Sequence, residues 1–371
     1  MSSLRLQVDG VPFDNFLSFS VSRAIDQFSG SFSISASDAD KTLFPIKLGS
    51  KVRATINDVA VLTGYVESIA PSIAAGSHAV DISGRDVTAD IIDSTLSAGG
   101  VELTPPVSFV DIINKVQTAV GTSLKVKNNV SGLAPFTPSE IASCKAGDGA
   151  FSFLEKFARA RQVLLNTDGE GRITISRNSK DKLDFSIINR RDGVGNNVLT
   201  SSATYSNAER FYKYVVVSQA NLSAANEFGI PDLDSMTSTI SKPVIDSAIR
   251  KSRTLYLVAE KNSSSGQSYE RAVWECNFRK AKSRTYSVTL DGLVVAGTDS
   301  PFPVDRLVQV DDEDAGISAT MLIKTVSFSV TSSGEETSLT LVNQDAYSLE
   351  LSDPSKKLDV NPVGADFEEE E

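Results

Sequence analysis

One pattern constrains this chain more than any other: a run of three short alternating strands that occurs twice. The second copy runs from Val304 to Asp345, VDRLVQVDDEDAGISATMLIKTVSFSVTSSGEETSLTLVNQD, and the first from Gly49 to Asp86, GSKVRATINDVAVLTGYVESIAPSIAAGSHAVDISGRD. Each begins with a short alternating run, Val52, Ala54 and Ile56 in one and Leu307 and Val310 in the other. A polar turn follows, Asn57-Asp58 or Asp311 to Gly316. The second strand covers Val61 to Ile69 or Met321 to Val330. A turn rich in Gly and Ser leads to a third strand, in which Val80 and Ile82 match Leu339 and Leu341. Period-2 alternation bounded by Gly, Asn, Asp and Ser is the signature of strands and turns. A three-stranded meander has one apolar face that must be buried. Two copies predict two related β modules in one chain.

The stretches around the copies extend these modules. Leu4, Leu6 and Val8 alternate into the Asp9-Gly10 turn, and Phe16–Val21 and Ser31–Ser35 read as paired strands joined by a bend at Ile25–Gly30. With the first meander they make a module over residues 1–97, closed by a short helix within Asp86–Leu96. Gly99-Gly100 and Pro105-Pro106 mark a boundary. Residues 98–178 change character. Ser108 and Asp111 form a capping box. Phe109, Ile112, Val116 and Val120 give the apolar face of a helix that Gly121 ends, with Val110, Ile113, Asn114 and Gln117 on another side. Asp148 is the expected cap of a second helix carrying Ala150, Phe151, Leu154, Phe157 and Ala158. A hairpin from Val163 to Ile175 completes an α/β insert. Residues 179–349 hold the second module, interrupted at about 220–284 by a long polar loop (220–239), a strand at Leu255–Val258, a turn at 262–268 and a helix with Tyr269, Ala272, Val273 and Cys276 on one face. Trp274 lies off that stripe, as a core residue of a wider face or an anchor at a subunit contact. Residues 350–371 are an acidic tail expected to be mobile.

Chemistry is sparse. The one histidine, His78, reads as exposed or structural, and it leaves no multi-His metal site. No nucleophile elbow, zincin, P-loop or dinucleotide motif is present. Cys144 and Cys276 fit neither redox nor metal spacing and read as buried free thiols. Asp311–Gly316 has the charge of a calcium loop without its ligand spacing, so a solvated turn is expected. Gly147-Asp148-Gly149 is a cap rather than an anion site. Glu155 and Glu170 have no partner to make a glycosidase pair. No catalytic, cofactor or metal residue is therefore assigned, and no enzymatic activity or cofactor is expected. A net charge of −11 argues against a broad nucleic-acid or anionic-membrane footprint, which needs clustered Lys and Arg. It suits equally the wall of a channel that passes DNA without holding it, or plain solubility. No apolar stretch is long enough to cross a membrane as a helix.

The order of parts resembles the baseplate hub proteins of contractile-tailed phages, the Mu-type tail protein or late-control D group. The resemblance spans Leu4 to Leu349 and is carried by ISGRDVTADIIDS (82–94), GDGAFSFLEKFARARQVLLNTDGEGRITISR (147–177) and YERAVWECNFRKAKSRTYSVTLDG (269–292) running into FPVDRLVQVDDE. It implies a mainly β fold with α+β inserts and two tail-tube-like antiparallel barrels. Three chains would form a ring that imitates a six-fold tube, in the virion baseplate, assembled in the host cytoplasm. Implied partners are two further copies of the chain, a spike protein below, the tail tube or its initiator above, and wedge proteins. DNA would pass without specific binding, and no stable membrane association is implied. No spike-like or lysozyme-like segment follows the second module, so the spike would be a separate polypeptide. Two rivals remain: a tail-associated peptidoglycan hydrolase using a carboxylate such as Glu155, and a tail-tip glycan-binding protein, for which a single Trp and 7% aromatic residues offer little stacking surface.

Overall fold

The computed structural model describes residues 4–37, 46–74, 77–141, 143–177, 179–217, 241–259 and 265–347. The loop expected at 220–239, residues 262–264 of the turn expected at 262–268 and the acidic tail lie outside them, and residues 265–268 of that turn are helical. The N-terminal strands are β1 (Leu4–Val8), β2 (Val11–Pro12), β3 (Ser18–Ala24), β4 (Ser31–Ser37), β5 (Lys51–Ile56), β6 (Val59–Ala74) and β7 (Ser77–Asp86). They are followed by α1 (Ala89–Asp93), α2 (Phe109–Val120), β8 (Val126–Asn128), α3 (Ala150–Ala160), β9 (Leu164–Thr167) and β10 (Ile173–Ser176). The C-terminal half contains β11 (Lys182–Asn189), β12 (Val198–Tyr205), β13 (Lys213–Val217), β14 (Val244–Ile245), β15 (Thr254–Val258), α4 (Ser265–Ser283), β16 (Arg284–Asp291), β17 (Leu307–Asp312), β18 (Ile317–Thr331) and β19 (Gly334–Asn343).

The fold is mainly β, as expected, and the turn chemistry explains the hairpins. Asp9-Gly10 and Asn57-Asp58 have positive φ at both positions (50° and 81°; 47° and 64°). That conformation matches the twist of the flanking strands and is open to Gly, Asn and Asp. The two modules do not stand apart. A 13-stranded sheet runs β12-β16-β19-β18-β3-β4-β7-β6-β5-β1-β2, with β17 between β18 and β11. The joint is an antiparallel β3·β18 pair, Phe19↔Val330 to Ala24↔Thr325. One apolar core lines both halves, including Leu6, Phe19, Ile34 and Val52 from the first and Tyr286, Val310, Phe328 and Leu341 from the second. The β11·β17 pair is parallel, a departure from the all-antiparallel expectation. A parallel partner must arrive by a long crossover, and no local sequence signal marks one.

The insert has its own core, built by α2, α3 and the β8-β10-β9 sheet around Phe109, Phe136, Phe153 and Phe157. Ser108 caps α2 by accepting from the Asp111 N–H at 3.1 Å, and Gly121 ends it with φ 79°. Two expectations are corrected. Ile113 and Gln117 are buried with the apolar face of α2, because the insert wraps that helix more widely. Asp148 does not cap α3: Gly149 holds that position, and the Asp148 carboxylate accepts the Lys145 N–H at 2.9 Å to close the preceding turn.

Helix α4 begins four residues earlier than the Tyr269 stripe suggests and buries two faces. Tyr269, Ala272, Val273 and Cys276 pack on the small β14-β13-β15 sheet. Trp274, Phe278 and Ala281 pack on Ile25, Leu322, Val342 and Tyr347, at the joint of the large sheet. Trp274 is 7% exposed and stacks on Phe278 at 5.1 Å, so it belongs to the core within this chain. A helix held between two sheets has no single polar face, which is why a one-sided stripe undercounts it.

Candidate functional site

The side chains singled out for chemistry do not converge. Glu155 lies on α3 in a surface pair with Arg159 at 3.1 Å, and Glu170 pairs with Arg53 at 3.1 Å. His78 sits in β7 opposite Ile73. Cys144 and Cys276 are free and buried. The Cys144 thiol donates to the Ser97 carbonyl at 3.3 Å, and burial pushes the Cys276 thiol up to about 11. Among the described residues, no group of three or more His, Cys, Asp or Glu is placed to hold a metal.

The Asp311–Gly316 stretch is a turn over residues 313–316, with Glu313 and Asp314 exposed as expected, but Asp311 and Asp312 end β17 and are tied down. Asp311 accepts from Arg190 at 2.6 Å. Asp312 is 1% exposed and accepts from the Tyr286 hydroxyl at 2.6 Å, Asn189 at 3.1 Å and the Ala315 N–H at 2.8 Å. Burial opposes the Asp312 charge, but these donors outweigh it and hold the carboxyl below its ordinary range. The acidic run closes the corner between β17 and β18.

Two other carboxyls are shifted the opposite way. Burial pushes Asp86 and Asp305 up to about 6. Asp305 has φ 60°, a conformation Asn tolerates, and its Oδ1 accepts the Ser179 N–H at 2.9 Å. A folded-state pKa above the unfolded one means stability is full below about pH 4 and declines as pH rises through about 6. Asp305→Asn keeps the acceptor and removes the buried charge. It should raise the unfolding free energy at pH 8 by about 1–2 kcal/mol and leave it unchanged at pH 4. Urea melts at the two pH values check this; equal gains at both would contradict it.

The feature that remains is the pair of strand edges left by the repeat. Every β6·β7 pair becomes a β18·β19 pair on adding 257: Gly64↔Asp86 becomes Met321↔Asn343, and Ala74↔Ser77 becomes Thr331↔Gly334. Both ladders shift register at the same place, at Glu67 and Lys324. This alignment corrects the match made from sequence: Ile82 corresponds to Leu339, and Val80 to Thr337. The outer strands follow. Ser31 pairs with Arg85 as Thr285 pairs with Val342, so β4 corresponds to β16. Ser22 pairs with Ser31 as Thr204 pairs with Thr285, so β3 corresponds to β12.

Within the chain, β3 is paired to the far half of β18. Their counterparts, β12 and the far half of β6, have no such partner among the described residues. Glu67, Ser68 and residues 70–72 are exposed on β6, as are Leu199 (53%) and Tyr205 (44%) on β12. The Ser206 N–H reaches the Ser283 carbonyl at 2.7 Å. Even-numbered β12 residues therefore point their backbone groups at β16, and Ser201, Ala203 and Tyr205 point theirs outward. Two exposed edges of this length invite pairing with another chain.

A doubled β unit, joined edge to edge and carrying an α/β insert, defines the class of fold. The comparisons narrow the class. Residues 3–86 match the family model for the Mu phage baseplate assembly protein GpP-like N-terminal region. The chain is 25% identical over 327 residues to the baseplate hub protein gp44 of Escherichia phage Mu, covering 87% of this chain and 82% of that protein. The crystal structure of the prophage MuSo2 43 kDa tail protein from Shewanella oneidensis superposes with a TM-score of 0.77 at 26% identity, over 93% of this chain and 99% of that one. The tail protein from Neisseria meningitidis MC58 shares the fold, with a TM-score of 0.78 at 14% identity over 94% and 99% of the two chains. Over most of its length the chain is therefore similar to a phage Mu baseplate hub protein and to Mu-like prophage tail proteins. What sequence reading missed is the geometry of the open edges. The duplicated meander was its visible trace.

Proposed function

We propose that this protein is a structural baseplate hub whose three copies close into a ring, with β12 of each chain pairing to the far half of β6 of the next. The observation that supports this most is the intrachain β3·β18 joint, for which the repeat supplies one unfilled counterpart at each end of the chain. Three chains then present six equivalent units and three copies of each kind of joint, a closed head-to-tail arrangement. The ring would join the tail tube to a central spike, contact wedge proteins, and surround a channel through which DNA passes. The net charge of −11 suits a wall that does not retain phosphate. In this reading residues 1–97 and 179–349 are the two tube-like modules, and 98–178 and about 220–284 are inserts. The relationship to a phage Mu hub protein supports a non-enzymatic role, and the hydrolase reading loses ground because Glu155 is tied to Arg159 on an open helix face.

The register between chains follows from the repeat. Val326↔Arg23 and Phe328↔Val21 translate to Ile69↔Tyr205 and Pro71↔Ala203. Those are the hydrogen-bonded pairs, with Pro71 contributing only its carbonyl. Ala70↔Thr204 between them is a narrow, non-hydrogen-bonded pair, whose Cα separation of about 4.5 Å is within disulfide reach. Ala70→Cys combined with Thr204→Cys should give, on mild oxidation, a non-reducing ladder that stops at three chains of 39.6 kDa each. A ladder that stops at two or runs past three would sink the ring, and no crosslink would sink the register.

A further inference from the structure

Where β3, β6, the β8-β10-β9 sheet and the loop before β17 meet, they line a half-open cavity of about 280 Å³. Arg23 lines it and is only 8% exposed. Its guanidinium lies against the Asp168–Gly171 turn: a Cβ on Gly169 would come within 2.9 Å of Arg23 Nη1. Among the described residues, that guanidinium makes no hydrogen bond. Burial opposes its charge, and Asp86 and Asp168 offset this through space only.

Both carboxylates are committed elsewhere. Asp86 accepts from the Thr88 N–H at 3.1 Å and the Thr167 hydroxyl at 3.0 Å. Asp168 accepts from the N–H groups of Glu170 and Arg172 and forms an ion pair with the Arg172 guanidinium. Thr174 also lines the cavity, and its buried hydroxyl has no partner. Lys127 adds a second cation to the wall. The carboxylate of Asp305, also in the wall, is occupied by the Ser179 N–H.

A guanidinium presents five donors in a fixed fork, and buried polar groups are almost always satisfied. A water can satisfy a hydroxyl but cannot neutralise a buried cation, and the space is far larger than one water needs. We infer that this cavity is a binding site for a small oxyanion of the phosphate type, gripped by the Arg23 fork and supported by Lys127 and the Thr174 hydroxyl. The fork matches the planar spacing of two oxyanion oxygens, which Lys cannot reproduce. The site does not depend on ring formation.

Calorimetric titration of the full chain with inorganic phosphate, against chloride at matched ionic strength, tests it. Saturable one-to-one binding is expected, with a rise in melting temperature that tracks occupancy. Arg23→Lys should weaken binding by more than about tenfold, and Lys127→Gln and Thr174→Val by about three- to tenfold each. Thr174→Val is nearly isosteric, so it keeps the test decisive if Arg23→Lys fails to fold. No heat and no melting shift up to about 20 mM phosphate would overturn the inference. Equal binding by wild type and all three variants would overturn it too.

Discussion

Arg161→Met is expected to lower the unfolding free energy by about 3–5 kcal/mol, the usual cost of stranding one partner of a buried ion pair. Arg161 is 8% exposed and holds the 134–140 loop onto the end of α3. Its Nε donates to the Ala134 carbonyl at 3.0 Å and its Nη2 to the Pro135 carbonyl at 3.0 Å. Nη1 and Nη2 engage the two Glu140 oxygens at 2.7 and 3.0 Å, and the guanidinium lies 3.8 Å from the Phe136 ring centroid. Methionine keeps much of the contact with Phe136 but takes the arginine donors from two carbonyls and leaves the Glu140 carboxylate without its cation, held only by the neutral donors of Thr137 and Gln267. Burial alone would raise the Glu140 carboxyl; the Arg161 and Thr137 hydrogen bonds outweigh it and hold the group down at about 2. A depressed folded-state pKa gives stability that is full above about 4.5 and lost as pH falls toward 2. The parent protein should therefore lose about 3 kcal/mol over that window from this group, and the variant much less. Circular dichroism melts from pH 7 to pH 2.5 check both. A variant melting within about 1 °C of the parent at pH 7 would refute the assignment.

The second large effect concerns assembly. Ala203→Pro should leave the chain folded and break the proposed three-chain ring into single chains. The Ala203 N–H points to the open edge of β12, away from β16, so proline removes no hydrogen bond within the chain. Proline is accepted in such an edge position, and the preceding Ser202 is already extended. Across the proposed interface, however, the same N–H is the donor to Pro71, which has none to offer in return. Losing it leaves that pair without a hydrogen bond and sets the proline ring against the neighbouring strand. Light scattering at several concentrations reads the outcome, with Ser202→Ala as a control whose backbone groups face β16. A proline variant that remains trimeric would place the contact elsewhere.

These two sites show what the sequence can and cannot reveal. Asp9-Gly10, Asn57-Asp58 and Gly121 act through their own backbones, and Ser108 through its hydroxyl on the N–H three residues on, so their turns and caps were readable from local residue type. The duplicated meander was readable because period 2 survives divergence. Its alignment slipped by two residues at Val80 and Ile82, since alternate positions on a strand look alike and only pairing fixes the register. The β3·β18 joint, where Ser327 donates to Ser22 at 2.8 Å, links residues 305 apart, and nothing local announces it. Periodicity tells which face of a strand is buried but not which partner covers it. The same gap concealed the second face of α4 and the buried role of Asp312. The Arg161 anchor was invisible for a related reason: arginines near a helix end are common, and only the folded loop brings Glu140 to this one.

The placement of Trp274 has a practical consequence. As the single tryptophan of the chain, stacked on Phe278 where α4 covers the β3·β18 joint, it is a built-in optical reporter on that one seam. Its emission should be blue-shifted in the native protein and move red when α4 lifts away. Fluorescence therefore distinguishes a chain whose two halves have come apart from one in which only the insert has melted.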